Sequence, residues 1–204
     1  MFYEPKKGHS LPHNPFNALV FPRPIGWISS LSKKGIANLA PYSFFNAIAY
    51  EPPQVMFAAT DYHSNGGLKD SIANILDTKE FVVNLATKKL QQSVVHSSID
   101  APPGVDEFKL MKLKKRKSTM VQPPSVAESP ATLECKLIRK IDLKGKKINQ
   151  NIMIIGEVVG IHIKDAFISN GKVNSLAMRA ISRMGYTEYS EVKSRFLMDR
   201  PKYS

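Results

Sequence analysis

Short apolar runs, most of them punctuated by proline or glycine, fill most of the chain. Strand-like runs occupy residues 18–23, 25–31, 36–38, 44–50 and 54–60, the spacing expected of strands in an antiparallel barrel. The period then changes. Leu68, Ile72, Ile75 and Leu76 fall at i, i+4, i+7 and i+8, which is one face of a helix over 68–76. Residues 80–86 (EFVVNLA) predict a compact buried strand, and 88–97 a short helix. Strands resume at 131–138, where Ala131, Leu133, Cys135 and Leu137 alternate with polar positions, and at 152–163, where Gly156 and Gly160 predict a bulge or a close backbone approach. Residues 169–172 (SNGK) predict a turn. Many strands, few helices and no βαβ alternation imply a mainly β fold with flanking helices.

The segments between these runs set the expected organisation. Residues 1–17 lack periodicity and read as an N-terminal arm, 18–190 as one domain, and 191–204 as a C-terminal tail. Within the domain, residues 100–129 carry two Pro-Pro pairs and a lysine run, and read as a long, mobile excursion. The run at 109–117 (KLMKLKKRK) reads as solvated surface with no part in the chemistry.

Composition narrows the class. With 204 residues, 43% hydrophobic and 23% charged, the chain supports one globular domain with a substantial core. A single cysteine, Cys135, excludes an intramolecular disulfide framework and disfavours a thiolate metal site, in keeping with a reducing cytoplasm. No apolar run approaches the length of a membrane span, and the N-terminus lacks a signal-peptide core, so a cytoplasmic, membrane-free protein is expected. The net charge of +12 gathers in 109–117 and 136–147. A nucleic-acid-binding barrel is the remote reading, because no DNA- or RNA-binding pattern accompanies the lysines. Attraction of anionic nucleotides is a nearer one.

Candidate chemistry is sparse. No G-x-G-x-x-G, P-loop, G-x-S-x-G or H-E-x-x-H occurs, and the five histidines form no ligand spacing. Neither a catalytic side chain nor a metal site is expected, so any reaction belongs to a cofactor. Two features point to one. Ser29, Ser30, Asn38, Ser43 and Asn46 lie in strand-like runs that would ordinarily bury hydrocarbon, and such groups are costly unless bonded. A planar polar cofactor would satisfy them, as would a hairpin facing water. The second feature is the segment 64–71 (SNGGLKDS), whose glycines precede a helix start. It suits a phosphate, with Lys69 and Ser71 assisting and Asp70 opposing; an ordinary capped helix start accounts for the same residues.

RPIGWISS, NLAPYSFFNAIAYEPPQVMF, GLKDSIANI, EFVVNLA, VDEF, LEC and RMGYTEY, in this order from about Pro15 to Tyr189, resemble the flavin reductase-like FMN-binding proteins. Within them the flavoredoxin and nitrilotriacetate monooxygenase component B branch is the nearest in pattern. The resemblance implies a split β-barrel of Greek-key type and a homodimer with FMN near the subunit interface. It assigns Trp27, Ser29 and Ser30 to the flavin, and Asn38, Ala40, Pro41, Tyr42 and Ser43 to the ring and ribityl side. Lys69, Asp70 and Ser71 fall to the phosphate, and Arg183 and Tyr186 to a C-terminal motif near the cofactor. The implied activity is NAD(P)H-dependent flavin reduction, with electrons passed through FMN to free flavin, a monooxygenase or an electron-transfer protein. The alternative is a bound-FMN electron carrier that does not use NAD(P)H.

Overall fold

A computed structural model describes residues 1–64, 66–148 and 150–203. Among the described residues, fourteen strands and four short α-helices, with two 3-10 turns, follow one another. The strands are β1 (Arg23–Pro24), β2 (Gly26–Leu31), β3 (Ala37–Tyr42), β4 (Phe45–Tyr50), β5 (Pro53–Thr60), β6 (Glu80–Leu85), β7 (Lys115–Arg116), β8 (Ser125–Val126), β9 (Ala131–Leu143), β10 (Asn151–Ile163), β11 (Ile168–Ser169), β12 (Lys172–Val173), β13 (Ile181–Arg183) and β14 (Tyr189–Glu191). The helices are α1 (Phe16–Leu19), α2 (Asp70–Thr78), α3 (Gln91–His96) and α4 (Glu107–Leu110).

Seven strands form one antiparallel sheet in the order β3-β2-β6-β9-β10-β5-β4. The sheet curls until Tyr42, on one edge strand, packs against Phe57 near the other edge, ring centroids 4.8 Å apart. The result is a split barrel. Side-chain alternation along β2 sends Ile28 into the barrel core, with Phe57, Phe81, Ile152 and Ile154, and α2 adds Ile72 and Ile75 to the same cluster. Trp27 points the other way, into a second cluster with Leu39, Leu90, Val94 and Phe108. Both faces of β2 are therefore buried, which is why its pattern is nearly continuous rather than alternating.

The glycines of β10 act as expected. The pairing with β9 shifts register between Ile155 and Gly156, and again between Val158 and Gly160. A Cβ on Gly156 would sit 2.4 Å from Phe81 Cζ, so only glycine admits that ring to the core. Cys135 is fully buried in the core, and burial pushes its thiol pKa up, which keeps it an inert packing residue.

Several expectations need correction. Residues 18–23 are not a strand: Phe16–Leu19 turn as α1, and only Arg23 pairs, in β1. Pro22 offers no N–H to a ladder, and the buried Arg23 guanidinium draws the preceding chain into a turn by donating to Asn17 O at 2.6 Å and Val20 O at 2.5 Å. The strand expected at 36–38 runs on to Tyr42, and 131–138 extends to Leu143. The helix placed at 68–76 starts and ends two residues later.

The excursion 100–129 is a built part of the fold rather than a mobile loop. It contains α4 and the β7–β8 pair, buries Phe108, Val121 and Val126, and is pinned near the C-terminal end of its basic run. Lys115 Nζ bonds Asp106 Oδ2 at 2.5 Å, and the Arg116 guanidinium donates to Ser125 Oγ at 3.0 Å and Thr132 Oγ1 at 2.7 Å. Farther along, the fully buried Glu134 carboxylate accepts from Thr119 N and Met120 N, and lies 2.5 Å from His162 Nε2. Burial pushes the Glu134 pKa up, but those N–H donors and His162 outweigh it and hold the group below its usual range.

Candidate functional site

The polar residues of β2 and β3 are bonded within the protein. Asn38 is the hub of one network. Its Oδ1 accepts from Ser71 Oγ at 2.7 Å and Ser30 Oγ at 3.4 Å, and its Nδ2 donates to Glu107 Oε2 at 3.1 Å. Leu39 N donates to the same Glu107 oxygen at 2.9 Å, and Asn74 Nδ2 to Ser30 Oγ at 3.1 Å. One network thus ties α2, β2, β3 and α4 together. A second centres on Asn84, which donates to Trp27 O and Ser29 Oγ and accepts from Val126 N, while Ser29 Oγ donates to Pro124 O at 2.6 Å.

In front of the first network lies a cleft of about 270 Å³, walled by Asn38, Ala40, Pro41 and Tyr42 on β3 and by Lys69, Asp70 and Ser71 at the start of α2. The opposite wall comprises Tyr62, His63, Glu107 and the segment 97–101 that follows α3. Seven of the predicted site residues are thereby brought together. Ser43, Arg183 and Tyr186 line a larger cavity of about 600 Å³, which meets the cleft at Pro41 and Ser98.

Trp27, Ser29 and Ser30 are fully buried and stand behind the cleft rather than on its wall. Trp27 Nε1 donates to Ser97 Oγ at 2.9 Å, so the indole positions the segment that forms the far wall. Ser30 holds α2, and Ser29 holds the excursion. Asn46 is exposed on β4, its side chain capping the next N–H. Asn65, in the predicted phosphate loop, lies outside the described residues.

The start of α2 suits an anion. No side chain caps it; Ile72 N and Ala73 N both bond Lys69 O, and the N–H groups of Asp70 and Ser71 have no partner among the described residues. They sit where the helix presents its partial positive charge, beside the Lys69 ammonium. The Ser71 hydroxyl is engaged with Asn38. Three carboxylates line the cleft, and each is tied to donors. Asp70, the awkward neighbour of a phosphate, turns toward Gly104 N at 3.4 Å. Asp100 faces Ser64 N at 3.2 Å and His63 Nε2 at 3.1 Å, and the bond with Ser64 leads in drawing its pKa down. Burial pushes the Glu107 pKa up, against the bonds from Leu39 and Asn38. Burial likewise pushes the Tyr42 phenol up to about 12, with Asp70 and Glu107 adding to the rise and a bond with Ser71 opposing it. The phenol therefore stays neutral.

Sequence reasoning missed Tyr62, His63, Glu107 and the 97–101 segment. His63 Nδ1 is buried with no partner, and nothing in its sequence context marks it. Glu107 lay within the VDEF motif, where only the resemblance drew attention to it. Among the described residues, no group of three His, Cys, Asp or Glu side chains is placed to hold a metal ion, and no helix is long and apolar enough to cross a membrane.

The chain matches a family model described as a flavin reductase like domain over residues 18–177. It is 38% identical over 172 residues to a protein of Aquifex aeolicus, covering 84% of this chain and 85% of that one. Among solved structures, nitrilotriacetate monooxygenase component B from Bacillus cereus superposes with a TM-score of 0.84 at 27% identity, over 94% of this chain and 100% of that chain. The 2-nitrobenzoate 2-nitroreductase of Pseudomonas fluorescens superposes with a TM-score of 0.80 at 28% identity, over 91% of this chain and 88% of that chain.

Proposed function

The chain belongs to the flavin reductase-like family of flavin-related oxidoreductases, and from that premise we propose that it binds FMN in the cleft between β3 and α2 and uses NAD(P)H as electron donor. The observation that carries the proposal is the uncapped start of α2, where two unpartnered N–H groups and Lys69 converge while Asp70 turns aside. That donor set fits a phosphate monoester. The wall of Ala40, Pro41 and Tyr42 would hold the ribityl and ring portions.

FMN supplies acceptance of hydride from a reduced nicotinamide and onward transfer of electrons. The chain's own residues bind, orient and shield. Lys69 and the α2 N–H groups anchor the phosphate. The network through Asn38 and Glu107 fixes β3 against α2, and the Trp27–Ser97 bond holds the opposite wall. No protein acid or base is needed for hydride delivery to a flavin, and none is assigned. The electrons would leave to free flavin, a monooxygenase or an electron-transfer protein.

A homodimer completes the proposal. Leu19, Val20 and Phe21 before β1, and Ile48 and Tyr50 on the edge strand β4, are exposed. Arg23 bonds Val20 O and lies 5.7 Å from the Phe44 ring centroid, which brings the stretch before β1 near the start of β4, and the proposed dimer surface would span both. A second copy would cover it.

The purified protein should show flavin absorption bands that bleach on anaerobic addition of NADH or NADPH. Persistence of the bands would favour a bound-FMN electron carrier. Lys69→Ala should weaken FMN retention at least about tenfold while leaving riboflavin, which lacks the phosphate, nearly unaffected, because a charge-assisted bond contributes about 1.5–3 kcal/mol. Equal losses for both flavins would place the phosphate elsewhere.

A further inference from the structure

A second cavity of about 600 Å³ shares no lining residue with the cleft or with the cavity that adjoins it. Four segments remote in sequence build it. Lys88 and Lys89 lie in the 3-10 turn that follows β6, and Glu128 and Pro130 lie just before β9. Lys164 and Phe167 follow β10, while Ala177, Met178 and Arg179 precede β13. Backbone bonds hold these segments together: Lys88 N donates to Arg179 O at 2.9 Å, and Lys164 N to Pro130 O at 2.9 Å. The Ser129 hydroxyl adds a bond to Leu85 O at 3.0 Å. The cavity is thus a built feature of the fold rather than a gap between loops.

Its charge balance is one-sided. Lys88, Lys89, Lys164 and Arg179 line it against one carboxylate, Glu128. Among the described residues that carboxylate enters no ion pair; its Oε1 accepts from Lys114 N at 3.2 Å, and its Oε2 is buried without a partner. Lys164 is half-buried, and its ammonium has one acceptor, the Glu128 carbonyl at 3.0 Å, which leaves its other donors open. Burial, then the charge of Arg116, lowers the Lys164 pKa, with Glu128 opposing the fall and Lys89 adding to it. Arg179 gives its Nε to Glu191 at 2.6 Å, and its remaining N–H groups have no acceptor among the described residues. Lys88 bonds Gln91 Oε1 at 2.7 Å, whereas the exposed Lys89 ammonium has no hydrogen-bond acceptor or ion-pair partner among them. Cationic donors short of acceptors suit a phosphate, whose oxygens accept charge-assisted bonds from several directions at once. Pro130, Phe167, Ala177 and Met178 supply apolar lining beside them. A ligand that satisfies both parts is anionic at one end and rich in carbon at the other.

We infer that this cavity binds a small organic phosphate, its phosphate on Lys89, Lys164 and Arg179 and its apolar body along Phe167 and Met178. The volume falls within the ordinary range for small-molecule sites, roughly 300–1,000 Å³. No cleft residue takes part, so FMN and the organic phosphate would be held at once, and the site does not rest on the flavin proposal.

ADP is the probe, titrated by calorimetry into the protein both with its flavin and after flavin removal. Saturable binding is expected, weakened at least about tenfold by Lys164→Met and less by Lys164→Arg, which keeps the charge. Lys89→Ser, at an exposed side chain, should weaken it as well while leaving urea unfolding unchanged. Lys69→Ala, in the cleft, should leave it as it is. Adenosine, which lacks the phosphates, should not displace ADP, and inorganic phosphate, which lacks the apolar body, should do so only at much higher concentration. ADP binding that is absent, unchanged in either Lys164→Met or Lys89→Ser, lost in Lys69→Ala, or displaced by adenosine or as readily by inorganic phosphate would overturn the inference. Lys164-dependent ADP binding by a protein that takes up no FMN would uphold the site while sinking the flavin proposal.

Discussion

Glu107 shows how much one side chain can carry. Both of its bonds to β3, from Asn38 Nδ2 and Leu39 N, end on a single oxygen, Oε2. A glutamine carbonyl can accept the same pair, whereas alanine leaves two buried donors unmet, at about 1–3 kcal/mol each. Glu107→Ala should therefore lower stability by several kcal/mol, and Glu107→Gln should not. The pH dependence has a defined sign. Burial raises the folded-state pKa of Glu107 above its ordinary 4.5, so the fold favours the protonated acid. That contribution is complete below the ordinary carboxylate range and is lost as pH rises through the raised value. Urea unfolding at intervals between roughly pH 4 and 8 should show the wild type losing stability relative to Glu107→Gln as pH increases. Parallel curves would mean that the carboxyl is not perturbed.

Among the elements, the excursion 100–129 departs furthest from its sequence pattern. Prolines and lysines suggested solvated chain, yet α4 delivers Glu107 to the cleft and β7 is bolted to β9 through Arg116. The reason lies in partners that are remote in sequence. Arg116 finds Thr132, Ser29 finds Pro124, and Thr119 and Met120 find the Glu134 carboxylate. Arg116→Ser should thus lower unfolding free energy by about 1–3 kcal/mol, as expected for bonds to a charged group. Lys114→Ser, at an exposed side chain, should change it by no more than about 0.5 kcal/mol. Chemical denaturation of the two variants tests this, and equal small effects would return the whole run to solvated surface.

For the whole molecule, the proposed dimer makes the apolar surface of Leu19–Phe21 and β4 a buried one. A Leu19→Asp, Ile48→Asp variant should sediment and scatter light as a monomer at low micromolar concentration, where the wild type is expected to be a dimer. Each charge would have to be desolvated to reform the contact, at several kcal/mol. A wild-type monomer carrying its full complement of FMN would remove the second copy from the proposal. Steering by the net charge of +12 belongs to this scale as well. It would speed capture of NAD(P)H or an acidic partner at low salt, an effect lost as ionic strength rises.

Local periodicity determined much of this protein. The alternation and glycines of β9 and β10, the buried run of β6 and the helical spacing around Ile72 and Ile75 are set by near neighbours, which is why they were legible in the chain. The polar residues of β2 and β3 were legible as an anomaly, but not their purpose. Ser30, Asn38 and Ser71 bond one another across strands and helix, whereas the sequence pattern suggested that they would face a cofactor or water. Tertiary structure alone decided that Trp27 supports Ser97, that Glu107 returns to β3, and that Lys89, Lys164 and Arg179 line one cavity. Such pairings join residues far apart in sequence. Hydrogen-bond satisfaction and charge balance depend on the three-dimensional neighbourhood, and no local pattern encodes which distant donor will meet which acceptor.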